Sequence, residues 1–217
     1  MNIEKNLKDV KERIRKSALK VNRNPDEIKL VVVTKTFPVD VINEVIKLGI
    51  KSIGETKVQE AKKKFEKIGK KVEWHMIGHL QSNKARDAVE IFDVIQSVDR
   101  MKITKKINDK CIELKKMMPV LVQVNLTRDK YGILAEETVE FVNEIKKLEG
   151  IKVEGLMTIA PYVEPEKTRL YFRKLKELAL TTGLKQLSMG MSNDFEVAIE
   201  EGATIVRIGT AIFGSRT

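Results

Sequence analysis

Eight short runs rich in β-branched and apolar residues alternate with helix-like stretches along the chain, and this alternation constrains the fold more than any other feature. The runs lie at 30–34 (L-V-V-V-T), 51–53, 72–77, 92–95, 119–124, 151–156, 185–188 and 204–208. Helical patterning occupies 39–48, 57–68, 83–89, 99–117, 135–148, 166–181 and 194–201, and a last short helix can start near Thr210. Strands joined by helical crossovers pair in parallel. Eight parallel strands at this spacing close into a barrel. The predicted class is therefore α/β, a single (β/α)₈ (TIM) barrel. An open doubly wound sheet is the alternative, and it calls for a glycine-rich dinucleotide turn after the first strand. Here that strand ends in T-K-T-F-P. Gly49, Gly150, Gly183 and Gly202 each follow a helical stretch and read as left-handed caps.

Ahead of the first strand, Ile3, Leu7, Val10, Ile14, Ser17 and Val21 fall at alternating steps of four and three. That spacing puts one narrow stripe on a helix that is otherwise mostly charged. Such a helix can lie against a larger body or pair with another chain. Asn24-Pro25-Asp26 ends it. The expected organisation is one domain over 1–217, with 1–24 as an extra N-terminal helix packed on the barrel. About nine residues follow the last strand, so no second domain is expected.

No apolar run approaches the roughly 18 residues of a membrane span, and charges interrupt the N-terminus where a signal peptide would be apolar. Cys111 is the only cysteine, so no intramolecular disulfide can form. A cytoplasmic monomer is expected, with no membrane or nucleic-acid partner. The net charge of +10 favours anionic partners in general. Its lysines are nonetheless interspersed with acids on helical faces, and aromatic residues make up only 5% of the chain.

Function in a parallel barrel gathers at the C-terminal ends of the strands. Lys35, Glu55, His75, Asn125, Met157, Ser188, Arg207 and Gly209 are expected there, a polar mouth on an apolar barrel. Lys35 closes the buried run V-V-V-T-K. Burying an ammonium costs several kcal/mol unless its pKa falls, and the same depression makes an amine nucleophilic toward aldehydes. A lysine snorkelling from the barrel rim is the plainer alternative.

The segments S-M-G-M-S-N-D and V-R-I-G-T-A-I-F-G follow or contain the last two strands. Loops at that position, with a short helix N-terminus, frequently bind phosphate. Gly190 and Gly209 let the backbone approach closely, and Ser192 and Thr210 add hydroxyls. Two ordinary capped turns are the alternative. Arg207 can donate to a phosphate or a ring nitrogen but cannot accept, and a salt-bridged rim arginine is the other reading. His75 and His79 invite a metal, yet their segment begins as a strand and contains Gly78, so hydrogen bonding in the loop or contact with a ligand ring is preferred to zinc. One ligand covers the set: a phosphate-bearing aldehyde such as pyridoxal 5′-phosphate.

Five stretches carry a family resemblance over essentially the whole chain. They are V-V-V-T-K-T-F-P around Lys35, G-E-T-K-V-Q-E from Gly54, W-H-M-I-G-H-L-Q-S-N-K from Trp74, G-L-M-T-I-A-P from Gly155, and the long stretch S-M-G-M-S-N-D-F-E-V-A-I-E-E-G-A-T-I-V-R-I-G-T-A-I-F-G from Ser188. The chain resembles the pyridoxal 5′-phosphate homeostasis protein family, formerly described as proline synthase co-transcribed proteins. The resemblance implies a barrel similar to the N-terminal domain of alanine racemase. It implies an imine (Schiff base) on Lys35. It implies a phosphate held by Ser192, Gly209, Thr210 and the Met191 backbone, and Arg207 facing the pyridine nitrogen. The family usually has Asn and then an aromatic after Gly-Glu, and this chain has Thr56 and Lys57, so the contact of that Asn is not carried over.

The resemblance implies a protein that buffers and delivers the cofactor, with cofactor-dependent apoenzymes as partners and no catalytic residues assigned. The rival is a racemase-like enzyme of weak or specialised activity. A racemase of this fold resembles a two-base enzyme whose tyrosine comes from a second domain. Tyr131, Tyr162 and Tyr171 have no motif reason to replace that tyrosine.

Overall fold

The computed structural model describes residues 2–128 and 131–214. The ends of the expected 1–217 span, Met1 and 215–217, lie outside these residues. Strands β1 (Lys29–Val33), β2 (Ser52–Glu55), β3 (Glu73–Met76), β4 (Val94–Val98), β5 (Met118–Asn125), β7 (Ile151–Met157), β8 (Gln186–Ser188) and β9 (Ile205–Ile208) form a parallel sheet. β6 (Ile133–Leu134) is a two-residue strand that pairs with β5. The order runs β4-β3-β2-β1-β9-β8-β7-β5, and β4 also pairs with β5. That last pairing closes the ring into an eight-stranded barrel, as the alternation predicts. β6 lies outside the closed ring and has no counterpart among the expected strands, because two residues carry no periodicity to read.

Helices α2 (Val39–Lys47), α3 (Val58–Ile68), α4 (Ala85–Ile91), α5 (Met101–Glu113), α6 (Thr138–Ile145), α7 (Pro165–Thr182), α8 (Phe195–Glu200) and α9 (Thr210–Phe213) make the crossovers and the final turn. The layers separate by strand parity. Val32, Ile53 and Trp74 join the large core shared with the helices. Val31, Leu121, Met157 and Ile205 form a second cluster in the barrel interior.

Helix α1 (Ile3–Lys20) begins at Asn2, whose side chain accepts from the Lys5 N–H. It buries Ile3, Leu7, Val10, Ile14, Ser17 and Ala18. It packs on α8 and α9, and Arg13 makes a two-toothed ion pair with Glu196. Ala18 takes the place in the stripe expected of Val21, which follows the last helical residue and is half-buried.

Gly49, Gly183 and Gly202 have the positive φ expected after a helix, whereas Gly150 does not. Gly150 is required by crowding instead. A Cβ there would sit 2.8 Å from the Asn108 carbonyl oxygen and 2.8 Å from Cys111 Cβ.

Candidate functional site

Val31 lies in the barrel interior, and Val33 and Lys35 share its parity along the chain. Lys35 is therefore carried to the C-terminal mouth on the inward side. The residues on either side of it are held from behind. Thr34 Oγ1 donates to Glu55 Oε1 at 2.7 Å, and the Thr34 carbonyl accepts from Lys64 Nζ at 2.8 Å. The Thr36 N–H donates to Glu60 Oε1 at 2.5 Å. Lys64 also donates to Glu55 and to Glu60, each at 2.7 Å. Thr36 has φ +71°, a conformation that a β-branched residue adopts only when its surroundings over-determine it. The G-E-T-K-V-Q-E segment thus supplies a clamp on the backbone flanking Lys35.

Glu55 consequently faces α3 and not the mouth, which corrects its expected place. Burial pushes its carboxyl up, and the bonds from Lys64 and Thr34 oppose that rise. Its Oε2 is buried without a hydrogen-bond partner among the described residues.

The loop between β8 and α8 approaches Lys35 from the other side. Gly190 has φ +91°, and a Cβ there would lie 2.6 Å from Ala198 Cβ and 2.8 Å from Phe195 Cα. Only glycine fits both constraints. The Arg207 N–H donates to the Gly190 carbonyl at 3.0 Å, and the Ala211 N–H donates to Ser192 Oγ at 3.1 Å. The loop is thereby joined to β9 and α9. The Met191 N–H is used within the turn, donating to Asp194 Oδ1 at 2.7 Å. Burial raises the Asp194 carboxyl, and the Met191 bond and the charge of Arg207 oppose it.

Arg207 is only 4% exposed. Its Nη1 donates to Ser188 Oγ at 2.6 Å and its Nη2 to the Thr158 carbonyl at 2.8 Å. No carboxylate pairs with it among the described residues, so it is not the salt-bridged rim arginine of the alternative reading. Burial pulls its guanidinium down to about 10, with Asp194 acting in the opposite direction. It remains a cation at neutral pH.

Lys35, Met191, Ser192, Arg207, Gly209 and Thr210 all line one cavity of about 460 Å³. Six positions chosen from three separated segments of sequence are thus brought together. Tyr162 and Asn193 also line this cavity, and the sequence reading assigned neither to it. Asn193 Nδ2 donates to the Val163 carbonyl at 2.9 Å, tying the loop after β7 to the loop after β8. The rule that strand-to-helix loops build the mouth is the signal that could have pointed to Tyr162.

His75 is fully buried and faces neither the mouth nor this cavity. Its ring meets Gln96 and Glu73, each at 2.8 Å. His79 contacts Asp99 Oδ2 at 3.1 Å and stacks on Tyr131, ring centroids 4.0 Å apart. Thr56, Lys57, His79 and Tyr131 line a second mouth cavity of about 620 Å³. Among the described residues no group of three or more His, Cys, Asp or Glu could hold a metal ion.

The family model described as "Alanine racemase, N-terminal domain" matches residues 2–217. A pyridoxal phosphate homeostasis protein of Aquifex aeolicus is 43% identical, covering 100% of this chain and 99% of its own. The Escherichia coli (strain K12) protein of that name is 40% identical, covering 97% and 95%. Among solved structures, PipY of Synechococcus elongatus with PLP bound has a TM-score of 0.83 at 34% identity, over 94% of this chain and 100% of its own. An alanine racemase of Clostridium difficile has a TM-score of 0.76 at 19% identity, a likeness of fold alone.

Proposed function

Since the chain belongs to the alanine racemase N-terminal domain family, and within it to the pyridoxal phosphate homeostasis proteins, we propose that it binds pyridoxal 5′-phosphate and acts in homeostasis of that cofactor. The observation that carries this reading is the single cavity lined by an amine, a buried guanidinium and a hydroxyl- and glycine-bearing cradle. The residues fit the group. An inward lysine suits an aldehyde. The cradle, where Gly190 and Gly209 stand close to neighbouring residues, suits a phosphate approached by backbone.

In this reading Lys35 would hold the cofactor through its aldehyde, as a lysine imine formed with release of water. Ser192, Gly209 and Thr210 hold the phosphate. The Met191 N–H joins them only on leaving Asp194. Arg207 faces the pyridine nitrogen. A donor-only group there keeps that nitrogen unprotonated, which makes the bound ring a weak electron sink and the linkage a reversible store. The cofactor supplies an electrophilic carbonyl and a conjugated ring. The protein supplies binding and orientation.

The same site serves delivery to cofactor-dependent apoenzymes, and the protein works as a cytoplasmic monomer. Coverage of the α1 stripe by α8 and α9 supports the monomer, since that stripe is the surface a dimer would otherwise use. Light scattering tests it, and a mass of two chains would overturn it. Among the described residues no helix is long and apolar enough to cross a membrane.

A racemase-like activity is the second reading, favoured by the presence of Tyr162 and Lys35 in the lining of one cavity. Tyr162 is 90% exposed, so little packs against its ring to hold the phenol, and proton exchange needs both bases held within reach. Single-turnover α-proton exchange in heavy water with a panel of amino acids separates the two readings. Rapid exchange lost in Lys35→Ala would overturn the carrier.

The direct test is borohydride reduction of protein loaded with pyridoxal 5′-phosphate. Wild type loses its visible absorbance and gains a labelled peptide containing Lys35, while Lys35→Ala traps nothing. Trapped cofactor in the folded variant would disprove the assignment.

A further inference from the structure

The barrel interior holds a chain of polar contacts that the cofactor reading leaves without a role. From the cavity inward, Arg207 Nη1 donates to Ser188 Oγ at 2.6 Å. Ser188 Oγ donates to Gln96 Oε1 at 2.6 Å. Gln96 Nε2 meets His75 Nδ1 at 2.8 Å, and His75 Nε2 meets Glu73 Oε2 at 2.8 Å. Glu73 also accepts from Lys29 Nζ at 2.7 Å and Ser52 Oγ at 2.9 Å. Lys29, Ser52 and Glu73 each begin their strands, so the chain runs from the mouth to the opposite end of the barrel. Ser188, Gln96 and His75 are each fully buried.

Only one direction of donation satisfies every member. Arginine is donor-only and carboxylate is acceptor-only, whereas hydroxyl, amide and imidazole can each be turned either way. With Arg207 donating to Ser188, the Ser188 hydrogen must go to Gln96 Oε1. That leaves the Gln96 amide nitrogen to donate to His75, so His75 Nδ1 is bare and its hydrogen sits on Nε2, pointing at Glu73. Flipping Gln96 would face Ser188 with a second donor and leave the buried Ser188 hydrogen without an acceptor in the relay. All four dipoles therefore point the same way, and aligned hydrogen bonds polarise one another. An amide in the middle is a poor carrier of protons, so the chain orients groups and does not conduct.

We propose that Ser188, Gln96, His75 and Glu73 are a positioning relay for Arg207. Resting on the reading of Arg207 toward the ring, the relay supplies what a carboxylate supplies to most buried arginines. It holds the guanidinium in one pose and leaves its remaining N–H groups for the cavity. It does so without placing an anion beside the ring.

The test has two arms. In the cofactor-free protein, ¹⁵N NMR of the imidazoles reads the direction of the relay. Wild-type His75 shows a bare Nδ1 and a protonated Nε2, and Gln96→Glu, which offers only acceptors, protonates Nδ1. A protonated Nδ1 in wild type would overturn the proposal without any variant. In protein loaded with pyridoxal 5′-phosphate, Ser188→Ala shifts the absorption maximum of the bound cofactor and Ser188→Thr, which keeps the hydroxyl, restores it. Wild-type spectra in both Ser188 variants would sink the relay. Failure of wild type itself to take up cofactor would refute the binding reading, and the NMR arm would still decide the relay.

Discussion

Lys35 shows how little of a candidate site residue's setting is local. Its own side chain is one flexible amine, yet Thr34 and Thr36 on either side are fixed by Glu55, Glu60 and Lys64. Lys64 is the keystone, because its ammonium meets two carboxylates and a backbone carbonyl. Lys64→Met should leave Glu55 buried without a cation and cost about 3–5 kcal/mol near neutral pH, measured by denaturant unfolding. The pH dependence has a definite sign. Burial raises the folded-state value of Glu55 above its ordinary one, so folded protein keeps a proton that the unfolded chain has released. The contribution of Glu55 therefore declines as pH climbs from the ordinary carboxylate range through the folded value. Removing Lys64 should steepen that decline, and the penalty should shrink in acid. A penalty that does not change with pH would show that Glu55 does not depend on Lys64. Glu73 behaves in the opposite sense. The bond from His75 and the pairing with Lys29 hold it well below the usual range, against burial. Its contribution is present at neutral pH and is lost only as pH falls below the ordinary carboxylate value.

At the level of elements, the strands were legible because parallel barrel strands are buried on both sides and read as apolar runs. The ends of helices were less so. The stretch expected as helix over 99–117 is helical only over Met101–Glu113. Lys115 then takes φ +52° to turn the chain into β5, a change that lysine does not announce as glycine would. Helix α1 was visible from its stripe, but its docking partner was not, since a 3.6-residue period names a face and not what covers that face. Its attachment gives the prediction at this scale. Leu7 is 3% exposed in the core, and Leu7→Ala should cost about 2–5 kcal/mol through lost transfer energy and the cavity left behind. If α1 only frayed on a finished barrel, unfolding would split into two transitions. The ion pairs Arg13–Glu196 and Lys20–Glu200, with the stripe buried on α8 and α9, favour a single one.

For the whole molecule, the site exists because the ring closes. β1 lies between β2 and β9, so the clamp from α3 and the cradle from α8 and α9 meet around Lys35 from opposite sides. Ligand binding should therefore stabilise the entire barrel. At a cofactor concentration 100 times its Kd, linkage predicts about 2.7 kcal/mol, seen as a rise in Tm in calorimetry. Lys35→Ala should lose most of that rise while keeping the unliganded Tm close to wild type. An equal rise in both proteins would mean that the stabilising ligand sits elsewhere.

The amino-acid order alone was enough for the barrel and for picking out the segments of Lys35, Ser192 and Arg207 that line one cavity, because period, composition and motif are properties of the chain itself. It placed Glu55 and His75 at the mouth, since a strand end indicates which residues come last but not which way each one faces. Closure decided that. Alternate residues turn to opposite sides of a strand, so Glu55 went outward to meet Lys64 and His75 went inward to meet Gln96. Partners that lie 9 and 21 residues away in sequence become neighbours only when the strands that carry them pack.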